Sequence, residues 1–213
     1  MFFRVGSPFY RFMTLVTNLI LLNLVWLVAC IPVVTAGAAT TAMYSVLFKF
    51  VNKEDDDVLK PFWRSFRQNF KQATLLWIPH GLIGLALGAE LVYLGYKDTG
   101  IIWWLVFGAL AVIYLMVSSM IYPMLSRYVN TTRAIVFNSI NLTFRNFLPM
   151  ISAAVLSFGP IGILLLDYEF FLYVGLIWTF GGISLLAYLN CIILSKIFKK
   201  YEDPEPAEEL ENL

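Results

Sequence analysis

Five apolar runs set the terms for this chain: Phe12 to Val34, Ala73 to Gly95, Ile101 to Pro123, Phe147 to Leu166 and Phe170 to Leu194. A hydrocarbon core of about 30 Å takes roughly 20 apolar residues as a helix, which satisfies its backbone polar groups internally. Each run is long enough to cross. Of the 213 residues 60% are hydrophobic and 14% charged, against about 25% charged in ordinary soluble domains. The pattern excludes a soluble fold and predicts an all-α, polytopic helical membrane protein. Residues 1–200 form one membrane domain, and 201–213 an acidic, proline-containing tail expected to be solvated and disordered.

A shorter sixth candidate runs from Gly37 to Val51, and the basic residues decide how to count it. With five crossings, Arg4 and Arg11 would face the side opposite Lys196, Lys199 and Lys200. With six, every Lys and Arg except Lys97 lies on one side, as the positive-inside rule favours. "PVVTAGAATTA", Pro32 to Ala42, therefore reads as an outer turn into a second span, with both termini cytoplasmic. A 15-residue helix is about 22 Å long, so this span starts below the outer surface or thins the bilayer. Its small residues suit close helix packing. A re-entrant hairpin is the main rival. A signal peptide, ending at "AGA" or with Cys30 lipidated, is a weaker one, because nothing downstream reads as an exported soluble domain. Cys30 and Cys191 lie within apolar runs and read as packing residues.

Residues Val58 to Gln72, "VLKPFWRSFRQNFKQ", carry the clearest helical pattern. Leu59, Phe62, Trp63, Phe66 and Phe70 fall within an arc of about 100°, while Lys60, Arg64, Arg67 and Lys71 fall within about 60° on another side. The segment is expected to be a cytoplasmic interfacial helix on the anionic inner leaflet, begun after the acidic run Glu54 to Asp57, where Asp57 can cap it. Phe62, Trp63, Arg64, Phe66, Arg67, Phe70 and Lys71, with Arg145, are the candidate contacts to lipid or a partner. "FRQNF" at Phe66 to Phe70 is echoed by "FRNF" at Phe144 to Phe147, each before a span with proline and glycine. The echo suggests a diverged duplication, a device common in transport folds.

Ionisable residues within the spans are His80 and Glu90, on one helix and about 15 Å apart, too far to pair. His80 reads first as a structural residue bonded to a neighbouring Ser, Asn or carbonyl, and second as a group handling protons or substrate. Glu90, with Asp98, Asp167 and Glu169, makes the outer face acidic. "GLALG" at Gly84 to Gly88 is a small-residue packing signal that also admits a homo-oligomer. A substrate pathway, if there is one, would run near His80, Glu90, Pro32, Thr35, Gly37, Thr40 and Thr41, beside Pro79 and Pro160. No metal-ligand spacing, phosphate loop or nucleophile-base set stands out, so no catalytic residue, metal, cofactor or nucleic-acid partner is expected.

"NLVWLVACIPVVTAGAATTAMYSVLFK", then an acidic gap and "PFWRSFRQNFKQAT", resembles the YesL-like family of bacterial integral membrane proteins, a domain of unknown function. The shared pattern is an Asn-bearing first span, a Pro-Val-Val-Thr-x-Gly turn, a small-residue helix ending in aromatics, and Phe-x-x-x-Phe-x-x-x-Phe. It covers roughly the first 75 residues; the remainder agrees only in length and span order. The resemblance implies a multi-pass protein of the bacterial inner membrane. Because members are often encoded beside carbohydrate-uptake genes, it also implies a non-enzymatic accessory or regulatory role at a carbohydrate permease. A small transporter or channel in its own right is the alternative. A cavity reaching His80 would favour the transporter, and a solid interior with an exposed apolar flank the accessory subunit.

Overall fold

The computed structural model describes residues 7–54, 57–97, 100–166, 175 and 177–202. Among the described residues there are seven α-helices: α1 Pro8–Cys30, α2 Ala36–Asn52, α3 Leu59–Tyr96, α4 Ile101–Arg127, α5 Thr132–Arg145, α6 Phe147–Leu166 and α7 Ile183–Glu202. A 3-10 turn, Val33–Thr35, precedes α2, and a five-residue π turn, Trp178–Gly182, leads into α7. Among the described residues, five segments are long and apolar enough to cross a membrane: Pro8–Cys30, Val33–Asn52, Leu59–Tyr96, Ile101–Arg127 and Trp178–Glu202. α5 and α6, bent by 112° at their junction, supply a sixth crossing if they count as one span. By helix length and hydropathy the chain is a multi-pass membrane protein. The acidic tail beyond Glu202, and Asp98, Asp167 and Glu169, lie outside the described residues.

Local signals set the ends of these helices. Ser7 caps α1, its Oγ accepting from Tyr10 N at 3.2 Å, with Pro8 in the first turn where its missing N–H costs nothing. Thr131 does the same for α5. The turn between α1 and α2 is held by Thr35, whose Oγ1 lies 2.6 Å from the carbonyls of both Ala29 and Pro32.

α2 is the central helix. Ala38, Ala39, Thr41, Ala42, Val46 and Leu47 are fully buried, so the small-residue helix expected as a second span is one. Its packing depends on Gly37, where an added Cβ would stand 2.8 Å from Trp77 Cβ and 2.9 Å from the Ala73 carbonyl oxygen. That contact fixes α3 antiparallel against α2.

The same contact corrects the reading of Val58 to Gln72. The segment is amphipathic and helical, but it is the first part of a 38-residue helix, not a separate element lying on a leaflet. No glycine or proline occurs from Phe62 to Ile78, so the hydrogen-bond ladder continues into the span. Its apolar arc packs on α2: Phe62 is fully buried and Phe66 half-buried. At 1.5 Å per residue, the part of α3 before Trp77 matches α2 in length, and the part after it extends about 28 Å further. Phe62 is therefore core and unavailable to lipid or a partner, while Trp63, Arg64, Arg67, Phe70, Lys71 and Arg145 are exposed.

The two echoed motifs also fold differently. "FRQNF" lies inside unbroken α3, whereas "FRNF" straddles the bend at Asn146, which has φ −124° and ψ 49° and bonds the Leu142 carbonyl and Tyr201. The echo gives no structural repeat.

α7 returns alongside α2, and at its end Glu202 meets Arg127 at the end of α4. Arg127 donates to both carboxylate oxygens, at 2.8 and 2.6 Å, and lies over the rings of Phe48 and Phe198. Tyr128 donates to the same carboxylate at 2.5 Å; burial, and then the adjacent Glu202 charge, raise its pKa and keep it a donor.

Candidate functional site

The helices do not close completely. Between α1, α2, α3, α4, α6, α7 and the π turn lies a cavity of about 880 Å³. Trp26 and Leu27 come from α1; Thr40, Met43 and Tyr44 from α2; Trp77, His80, Gly81, Gly84 and Leu85 from α3; Tyr114, Ser118, Ser119 and Tyr122 from α4. Leu156 to Phe158 and Pro160 from α6, Trp178 and Thr179 from the π turn, Ile183, Leu186 and Ala187 from α7, with Val33 of the 3-10 turn and Gly175, complete the wall.

His80 is the polar centre of this wall. Its Nε2 lies 2.7 Å from Ser118 Oγ, and Ser118 Oγ lies 2.6 Å from the Tyr114 carbonyl. The serine proton goes to that carbonyl, so the serine accepts from His80, which therefore carries its proton on Nε2. Nδ1 is left an acceptor, buried and without a hydrogen-bond partner. Tyr114 donates to the His80 carbonyl at 3.0 Å and meets the imidazole edge-on, while Tyr122 stacks on it with centroids 5.8 Å apart. The Tyr122 hydroxyl is likewise buried and unpartnered.

Three of the lining helices contain an internal proline: Pro79 beside His80, Pro123 beside Tyr122, and Pro160. Each removes one rung of its helix ladder next to the cavity. The π turn is the larger interruption. Gly181, at φ 155°, occupies backbone space that an L side chain rarely enters, with Ile20 close against it. Asn23 of α1 holds the broken backbone: fully buried, it donates to the carbonyls of Trp178 (2.9 Å) and Thr179 (2.8 Å) and accepts from Ser184 N (3.0 Å).

Residues 19–91 match a family model described as protein of unknown function, DUF624. The matched stretch takes in Asn23, Trp26, all of α2 and His80, and so supplies the α1, α2 and α3 walls of the cavity. No curated protein and no solved structure matches the chain.

Of the pathway residues expected from the sequence, His80 and Thr40 line the cavity, and Pro160 joins them. His80 also has the serine partner that its structural reading called for. Thr35 and Pro32 form the turn between α1 and α2; Gly37 packs against α3; Thr41 is buried and bonds its own helix at the Gly37 carbonyl; Glu90 lies further along α3, off the wall. The aromatic lining (Trp26, Tyr44, Trp77, Tyr114, Tyr122, Trp178) and the serines of α4 and α6 were missed. The one available signal was Ser118-Ser119 inside an otherwise apolar span. No cluster of metal-ligating side chains occurs among the described residues.

Proposed function

We propose that this chain is a non-catalytic membrane protein that binds a small molecule inside its helical bundle and passes it through the bilayer. The cavity carries the reading. Helical interiors are normally packed with few voids larger than a water molecule, whereas ligand pockets run to about 300–1,000 Å³, the range into which this cavity falls. Prolines and a π break beside it support passage rather than storage, because interrupted helices are how carriers line a site and shift around it. The basic end is assigned to the cytoplasm by the positive-inside rule, and the resemblance to YesL-like proteins points to a bacterial inner membrane.

Gly81 lines the cavity, and a Cβ placed there meets nothing within 4 Å. A Gly81→Cys thiol in native membranes should react with N-ethylmaleimide at least about tenfold faster than Ile83→Cys on the exposed face of the same helix, because a carrier's site opens to water in part of its cycle, where thiolate forms, whereas none forms in hydrocarbon. Equal rates would overturn the reading.

A second reading is an accessory subunit of carbohydrate uptake, docked on a permease. It is favoured by the apolar faces of α3 beyond Pro79 and of α4 before Tyr114, where Leu82, Leu85, Ile102 and Leu105 are all more than 60% exposed. Purification from native membranes with a sugar permease attached would support it, and isolation without any partner would count against it.

A further inference from the structure

We infer that the cavity takes an uncharged, lipophilic molecule bearing a single hydroxyl head, supplied from the bilayer, and does not take free sugar. The inference rests on the reading of the cavity as a binding site and names its ligand class.

Among the described residues, no Asp, Glu, Lys or Arg lines the cavity. A charged ligand would sit there without a counter-ion, at a cost of several kcal/mol. The lining hydroxyls offer little either. Ser118 and Ser119 donate to carbonyls of their own helix, and Thr179 donates to that of Gly175. A free sugar brings a hydroxyl on nearly every carbon, and each one buried without a partner costs about 1–3 kcal/mol. With Ser118, Ser119, Thr179 and Tyr114 all donating to backbone carbonyls, a wall made largely of indole and phenol rings meets only part of that demand.

One hydroxyl is a different matter. His80 Nδ1 is an acceptor and the Tyr122 hydroxyl has a proton to give; both are buried without partners, on rings stacked against each other. Packing now covers both atoms, so a hydroxyl head has to displace it to donate to the first and accept from the second, which would satisfy both. The route of entry is equally apolar. Val33 and Leu85 line the cavity and are 70% and 72% exposed, so they form its rim, and both are hydrocarbon. A molecule dissolved in lipid crosses that rim without shedding water.

Retinol is a suitable probe, with an apolar conjugated body and one hydroxyl. It accepts excitation energy from tryptophan, and Trp26, Trp77 and Trp178 line the cavity. In nanodiscs the unaltered chain should show saturable tryptophan-to-retinol transfer, weakened at least about tenfold by Gly81→Phe, which fills the space. Retinol should slow maleimide labelling of Gly81→Cys at least about fivefold, while retinoate and maltose leave the rate within about twofold. Protection by maltose, or equal protection by retinoate, would overturn the ligand class and leave the cavity intact. A reactive thiol with no saturable transfer to retinol would overturn it as well. Failure of the binding-site reading shows separately, as a Gly81→Cys thiol no more reactive than Ile83→Cys.

Discussion

Replacing Asn23 with leucine keeps the number and branching of the side-chain heavy atoms and removes three hydrogen bonds at once. The carbonyls of Trp178 and Thr179 and the N–H of Ser184 lose their partner, where the π turn has already disrupted the helical ladder. Hydrogen bonds between membrane helices average only about 0.6 kcal/mol, because the separated helices find other partners. Backbone groups at a break have no such alternative within a buried site, and each costs about 1–3 kcal/mol when left unpaired. The expected loss is thus about 3–5 kcal/mol, or roughly 6–20 °C in melting temperature for a chain of this size. Cys191 is fully buried, so a thiol-reactive fluorogenic dye reports unfolding directly. The matched control is Thr17→Val on the exposed face of α1, where the hydroxyl bonds only its own helix at the Met13 carbonyl. It should cost less than about 0.5 kcal/mol. If Asn23→Leu melts within about 2 °C of Thr17→Val, Asn23 does not hold the break, and the account of how α1 joins α7 fails.

Gly37→Ala should destabilise by about 1–3 kcal/mol, since its methyl group overlaps Trp77 and the Ala73 carbonyl; Gly88→Ala, with open space around it, should be neutral or stabilising in the same melt. Glu202→Gln weakens a two-bond ion pair whose side chains are 21% and 34% exposed, so screening limits the loss to about 1 kcal/mol, read as a melting shift of about 2–4 °C.

Membrane spans are legible in a sequence because the bilayer demands one thing of every residue in them, and apolar run length answers it. Even the short α2 could be recovered, because placing the cations on one side required a second crossing. The amphipathic arc of Leu59 to Phe70 was legible as a helix face but not in what covers it. A leaflet and a neighbouring helix demand the same pattern, and here α2 is the cover over Phe62. The cavity was the least legible part. Thr40, His80, Ser118, Ser157 and Thr179 lie on separate elements, and Asn23 meets Ser184 across 161 residues. Which faces converge depends on the rotation of each helix about its axis, which apolar run length does not encode. His80 was visible only because an ionisable residue in a span is conspicuous on its own.

Native mass spectrometry of the chain released directly from its own membranes tests occupancy of the cavity most directly, comparing the unaltered protein with Gly81→Phe. A small neutral adduct at one per chain, present in the first and lost in the second, is the predicted result. Bare protein in both, or an adduct that survives the filled cavity, would contradict a ligand held beside His80.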